Sequence, residues 1–158
     1  RRQTYSLIKR YINHAYDYNK ELTCIIVDID HFKKINDNFG HSFGDKVIRE
    51  TALIVNDMVA GYQDCNIGRW GGEEFVIILL GYDIKRAMPL AEQFKERISQ
   101  HTFRSKSKDM TAKITVSQGI TVLKKSINEK SVDDMMKRAD EGLYIAKERG
   151  RNCIIFVE

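Results

Sequence analysis

The stretch Arg69-Trp70-Gly71-Gly72-Glu73-Glu74-Phe75 lies between two apolar runs, and its reading decides the fold. Asn66-Ile67-Gly68-Arg69-Trp70 reads as one strand and Phe75-Val76-Ile77-Ile78-Leu79-Leu80 as the next. The Gly71-Gly72 pair predicts a tight two-residue hairpin turn with its glycines at positive φ. Two carboxylates follow the turn at once. Adjacent acids repel, so a bare hairpin gives no reason for them, whereas a metal site or a proton-transfer site does. Taken alone, a solvated acidic turn explains the stretch equally well.

Length and composition bound the answer. The chain has 158 residues, a net charge of +4, and 42% hydrophobic against 30% charged residues. That predicts one domain of an ordinary globular protein. The charge is mild and scattered; it permits an anionic ligand and does not demand a nucleic-acid polymer. No apolar run reaches the length of a membrane helix, and the first residues lack the pattern of a signal peptide. The basic face of the first helix reads as solvation, without direct membrane contact. The chain opens inside a helical pattern, which predicts the C-terminal part of a larger protein. Cys24, Cys65 and Cys153 are odd in number, lack zinc spacing and adjoin strand-like runs. They read as buried, reduced thiols of a cytoplasmic domain.

Upstream of the hairpin, Leu7, Ile8, Tyr11, Ile12 and Ala15 mark an amphipathic helix within residues 1–19. Thr23-Cys24-Ile25-Ile26-Val27 reads as a buried central strand that ends in Asp28-Ile29-Asp30. Asp30 is expected to cap the following helix. Asp28 lies closer to the buried part of the strand and needs a partner. A short helix over residues 31–40 and a second from about residues 42–45 to 58 follow. Asn36, His41 and Asp45 at their junction read first as turn and cap residues. An amide with a carboxylate is also a natural pair for a guanine edge.

Downstream, a helix over residues 83–100 carries its stripe at Ala87, Leu90, Ala91, Phe94 and Ile98, with Pro89 predicting a late start or a bend. Residues 102–109 read as a polar loop and 110–122 as one long strand, bulged at Gly119. Ser131 opens the last helix, Gly150 closes it, and a strand over residues 152–157 ends the chain. Lys147, Arg149 and Arg151 at that helix end suit its dipole, and equally suit phosphate oxygens.

The order α-β-α-α-β-β-α-β-α-β allows a right-handed βαβ unit whose third strand inserts between the first two. The expected fold class is α/β in composition, an α+β sandwich of ferredoxin-like type. Asp28 would then meet Glu73 and Glu74 at one sheet edge. Carboxylates so gathered need a cation, and oxygen-only ligands argue for Mg²⁺ or Mn²⁺.

With these blocks in place the chain resembles the GGDEF family, the diguanylate cyclases. Gly71-Gly72-Glu73-Glu74-Phe75 is similar to the family signature in its GGEEF form. Asp28 to Asp37, Gly40-His41 and Gly44-Asp45 resemble the first block. Lys137 to Tyr144, Ala146-Lys147 and Gly150 to Asn152 resemble the last. The resemblance spans nearly the whole chain, residues 1–156. It implies a nucleotidyl-cyclase palm with a central, mostly antiparallel five-stranded sheet flanked by helices. It also implies condensation of two GTP into cyclic di-GMP and two pyrophosphates across a homodimer, driven by an upstream sensor domain. By position it implies Asp28, the carbonyl of Ile29 and Glu73 as ligands of Mg²⁺ (or Mn²⁺). Glu73 is implied as the base, with Glu74 supporting the second metal or sharing the base role. For the substrate, Asn36 and Asp45 would read guanine with His41 nearby, and Gly71 and Gly72 would leave room for ribose and phosphate. Lys147 and Arg151, with Lys33 and the amides near Phe32, would hold phosphates.

Two departures stand out. Tyr62 and Cys65 replace the family's inhibitory Arg-x-x-Asp pair, so that site is expected to be missing. The family's Leu-Thr-Gly-Leu turn would precede Arg1. The competing reading is a catalytically silent module that binds GTP or cyclic di-GMP and regulates. A polymerase-like or adenylate-cyclase-like domain on the same sheet lacks support in these blocks.

Overall fold

A computed structural model describes residues 1–105, 110–125 and 131–158. Its elements are α1 (Arg2–Asp17), β1 (Leu22–Ile29), α2 (Phe32–Phe39), α3 (His41–Val59), β2 (Cys65–Arg69), β3 (Glu74–Leu80), α4 (Ile84–Gln100), β4 (Phe103–Arg104), β5 (Thr111–Ala112), β6 (Val116–Val122), α5 (Val132–Glu148) and β7 (Ile154–Phe156). Five strands form one sheet in the order β2-β3-β1-β6-β7. β1 is antiparallel to both β3 and β6, β3 is antiparallel to β2, and β7 joins β6 in parallel. β1 and β2 therefore run parallel with β3 between them, the split βαβ expected from the element order.

The apolar run of β1 explains its place. All eight of its residues are buried, which only a central strand covered on both faces can achieve. Alternation sends Ile25, Val27 and Ile29 to the side of α3 and α4. Cys24 and Ile26 face α1 and α5. Asp83 caps α4 by accepting from the Arg86 N–H at 2.9 Å, and Ser131 caps α5 through the Asp134 N–H at 3.3 Å. With its start fixed at Asp83, α4 runs through Pro89. What is missing there is the bond a nitrogen at that position would give to the Lys85 carbonyl.

Several expectations fail for local reasons. Gly71 and Gly72 are not left-handed; positive φ among glycines occurs at Gly40, Gly81 and Gly150. Residues Trp70 to Glu73 form a four-residue loop, which spreads the reversal over more torsions than a two-residue turn. The Trp70 and Gly71 N–H groups both donate to the Glu74 carbonyl, at 2.8 and 3.4 Å. A Cβ on Gly71 would lie 2.7 Å from Glu74 Oε2, the movable end of that side chain, so a small shift of the carboxylate would relieve it. Gly119 forms no bulge: it pairs in register with Ile26 on one side and Ile155 on the other. Its reason is the helix above it, because a Cβ would overlap the Ala139 carbonyl oxygen and the Leu143 nitrogen.

The long strand expected over residues 110–122 is broken. Thr111–Ala112 pairs with Phe103–Arg104 in a small second sheet. The Asp30 N–H then takes the Thr115 carbonyl at 2.9 Å, and the main sheet resumes at Val116. Phe103, in the expected polar loop, is fully buried. The part of that loop at 106–109 lies outside the described residues. Of the cysteines only Cys24 is buried; Cys65 and Cys153 are half-buried free thiols.

Candidate functional site

The carboxyl end of β1 and the tip of the β2–β3 hairpin share one edge of the sheet. Register does this: Asp28 pairs directly with Glu74. Glu73 is the last residue of the loop, immediately before β3. Asp28 is 5% exposed. From the last turns of α5, Lys147 places its Nζ 2.8 Å from Asp28 Oδ2. The edge thus joins three acids and one ammonium from four chain segments.

Electrostatics follow from that crowding. Burial pushes the Asp28 carboxyl above the usual carboxylate range, Lys147 pulls it back, and Glu73 and Asp30 push it up again. Burial is also the main cause at Glu74, which is raised further by Asp28, Asp140 and Glu73 and lowered by Lys147. Asp140, open to solvent on α5 but with a crowded carboxyl, is raised as well, chiefly by desolvation. A raised carboxyl keeps its proton in the folded chain at pH values where the unfolded chain has lost it. Its contribution to stability therefore falls as pH rises through that interval. Replacing Glu74 by glutamine should remove this fall. In metal-free thermal melts the variant is expected to match the wild type near pH 4 and to exceed it near pH 8. An offset constant across that range would contradict the assignment.

Every donor at this edge is oxygen: Asp28, Glu73, Glu74 and the Ile29 carbonyl. That chemistry fits a hard cation such as Mg²⁺ or Mn²⁺ and does not fit a zinc site. Among the described residues no three His, Cys, Asp or Glu side chains converge into a ready-made cage. The positive charge in contact with Asp28 is Lys147's.

A second cluster lies where α2 meets α3. Asn36 Oδ1 is buried and has no hydrogen-bond partner. It presses on Gly44, where any Cβ would overlap it and would meet Phe32 Cζ at 3.1 Å. An unpaired buried acceptor of this kind is uncommon in a folded chain. Asp45 follows Gly44 and lines a groove of about 570 Å³ with Ile48, Arg49, Arg69 and Phe75. His41, one turn before Asp45 on α3, is not among the residues lining that groove. It lines a separate hollow of about 740 Å³ with Lys46 and Glu50. Lys33 is exposed in the first turn of α2.

Asp30 has a different task from the one its position suggested. It accepts from Thr115 Oγ1 and Ser117 Oγ, both at 2.6 Å, and from the Asn152 N–H at 3.1 Å. His31 is the N-cap of α2, with no side-chain capping bond. Three donors on one buried carboxylate outcompete a helix terminus. The result is to pin the left-handed Arg151-Asn152 turn (φ 68° and 49°) beneath the acids, which brings Arg151 to the same edge.

Two contributors were not singled out from the sequence. Arg69 Nε and Nη2 donate to the Gly72 carbonyl at 3.1 and 2.7 Å, bracing the loop that carries Glu73. Asp140 is seven residues before Lys147 and so on the same face of α5, a spacing that could have revealed it. Where the inhibitory pair was expected to be missing, Tyr62 meets Tyr82 edge to face at 6.4 Å and the Arg86 guanidinium covers Tyr82 at 4.3 Å.

Alternation splits the site between two layers. Asp28 and Glu74 share parity with Ile26 and Val76, which face α1 and α5. Phe75 belongs to the α3 side and opens onto the Asp45 groove. A ligand touching both clusters must cross the sheet edge at the end of β1.

The chain belongs to a known family. The profile described as "Diguanylate cyclase, GGDEF domain" matches residues 1–153. A diguanylate cyclase of Vibrio cholerae serotype O1 is 38% identical over 136 residues, which cover 85% of this chain and 40% of that protein. The chain therefore spans about two fifths of that relative. Among solved structures, the active GGEEF domain of a diguanylate cyclase from Vibrio cholerae superposes with a TM-score of 0.88. It is 32% identical and covers 100% of this chain and 96% of its own. The GGDEF domain of DgcB from Caulobacter crescentus, in complex with c-di-GMP, gives a TM-score of 0.90 at 29% identity. Its match covers 99% of this chain and 86% of its own.

Proposed function

We propose that the chain is the diguanylate cyclase unit of a longer signalling protein, with an upstream sensor domain. It would condense two GTP into cyclic di-GMP and two pyrophosphates. The observation that carries this reading is the Asp28–Glu74 strand pair beside Lys147, in a chain matched to the family over residues 1–153. In each half-reaction a ribose 3′-oxygen attacks an α-phosphorus. The bond from that phosphorus to the pyrophosphate oxygen breaks, and the hydroxyl proton passes to Glu73. Two GTP-loaded copies face each other, so each supplies the hydroxyl for the other's phosphate. Held by Asp28, Glu73 and the Ile29 carbonyl, Mg²⁺ or Mn²⁺ would neutralise charge on the phosphoryl oxygens.

The chain's own groups do the rest. Lys147 and Arg151 orient the β- and γ-phosphates, with Lys33 and the amides near Phe32 as secondary contacts. Glu74 supports the acid cluster. Gly71 and Gly72 leave room for the ribose. The orphaned Asn36 Oδ1 takes the guanine amine, and Asp45 accepts from N1–H and the same amine. No helix among the described residues is long and apolar enough to cross a membrane. We place the domain on the cytoplasmic side, where GTP is available.

The test is incubation with GTP and Mg²⁺, followed by separation of the nucleotides. A forced dimer that releases no cyclic di-GMP defeats the reading and leaves a silent GTP- or cyclic di-GMP-binding module. Asp45→Asn tests base recognition. It should lower kcat/KM for GTP by about 10- to 100-fold, the equivalent of roughly 1–3 kcal/mol for one base-edge contact. Its preference for GTP over ATP should narrow by a similar factor. Unchanged selectivity would remove Asp45 from the pocket.

A further inference from the structure

We propose that Lys147 is a built-in substitute for the divalent cation at Asp28, so that cation and nucleotide phosphates bind as one coupled event. This rests on the cyclase reading above and says how its site is held before substrate arrives. The Asp28 side chain is 7% exposed, and its Oδ2 is in direct contact with the Lys147 ammonium. A buried carboxylate left without a positive partner is strongly destabilising, so the empty site needs one. A lysine suits this purpose: it is a compact charge on a flexible stem, free to turn elsewhere. Its side chain is one-third exposed, so a path outward exists.

A hard cation needs the same carboxylate. The two positive charges cannot both contact Asp28 Oδ2 without repulsion. When the cation enters, Lys147 must leave Asp28. Arg151 stands four residues on, at the same edge, and with it the freed ammonium forms a seat for phosphate. Glu74 and Asp140 also face Lys147 and would otherwise hold it. Phosphate oxygens draw Lys147 off Asp28 and so open the oxygen to the cation; the cation releases Lys147 for the phosphates. Each ligand therefore tightens the other by the same factor. Without nucleotide, the site should be a poor cation binder although it is rich in acids.

The 158-residue chain is titrated with Mn²⁺, following the paramagnetic resonance of the free ion. Titrations are run with and without GTP carrying a methylene between its α- and β-phosphates, which cannot be condensed. For the wild type, the analogue should tighten Mn²⁺ by about tenfold or more, within the usual range of coupling between sites. Lys147→Met without nucleotide should already bind Mn²⁺ about tenfold more tightly than the wild type. Lys147→Arg, which keeps the charge, should not. If Lys147→Met is unfolded without metal, its refolding by Mn²⁺ but not by NaCl gives the same result, and failure to refold overturns the proposal. Mn²⁺ binding with the analogue, but equal nucleotide-free affinity in wild type and Lys147→Met, overturns this proposal alone. No Mn²⁺ binding to the wild type even with the analogue defeats the cyclase reading and this proposal with it.

Discussion

Replacing Glu73 by glutamine is expected to cut the rate of cyclic di-GMP formation by about 10²- to 10⁴-fold, the usual contribution of a positioned acid–base group. The substitution keeps the shape of the side chain and removes its basicity and its charge. Two proposed roles are lost together, since the amide neither takes a hydroxyl proton nor balances a divalent cation. The fold should survive, because Glu73 is half-buried in a loop braced from below by Arg69. The measurement is product formation under saturating GTP and Mg²⁺, with a thermal melt run in parallel. A variant that melts like the wild type and turns over at near-normal rate would remove Glu73 from both roles. A lost melt would instead show that the loop depends on the charge.

The second large effect concerns stability. Gly119→Val should cost about 3 kcal/mol, the upper end for overpacking, because the obstacles are backbone atoms of α5 and not movable side chains. For a domain of this size that lowers Tm by roughly 6–12 °C. Either α5 must lift from β6 or the strand must shift from its register with Ile26 and Ile155. Lifting α5 would also carry Lys147 away from the phosphate seat, so nucleotide binding should weaken along with stability. Gly61→Ala, where nothing lies within 4 Å of the added atom, is the control and should change Tm little. Equal melts for both variants would show that the β6–α5 contact is softer than its geometry implies.

The sheet was legible because its cues are short-range and redundant. The apolar run ending at Asp28, the hairpin after Arg69 and the parallel crossover leave few ways to order the strands. That Asp28 lies beside the hairpin acids followed from that order; its direct pairing with Glu74 is set by the register. Legibility ended where a residue's partner is distant in sequence. Asp30 looked like a helix cap because its neighbours are helical, but its donors come from residues 115, 117 and 152. Gly119 looked like a bulge because nothing nearby shows a helix lying on it. His41 lies one turn before Asp45 on the same face of α3, as the shared junction suggested, and lines the adjoining hollow. The Gly71-Gly72 pair was assigned to positive φ, which neither residue adopts; of the two, only Gly71 has a neighbour near the missing Cβ, the tip of Glu74.

The central position of β1 has a dynamic counterpart. Amides of Ile25 to Val27 lie between β3 and β6, and exchange with solvent deuterium should require opening of the whole domain. Those of the loop at Gly71 and Gly72 can exchange through local fluctuation. The two sides of the site thus belong to different cooperative units: Asp28 is a fixed jaw, and Glu73 rides on a movable one. In the proposed reaction, small readjustments of the hairpin would follow the changing shape of the phosphate while the anchor beneath it stays still.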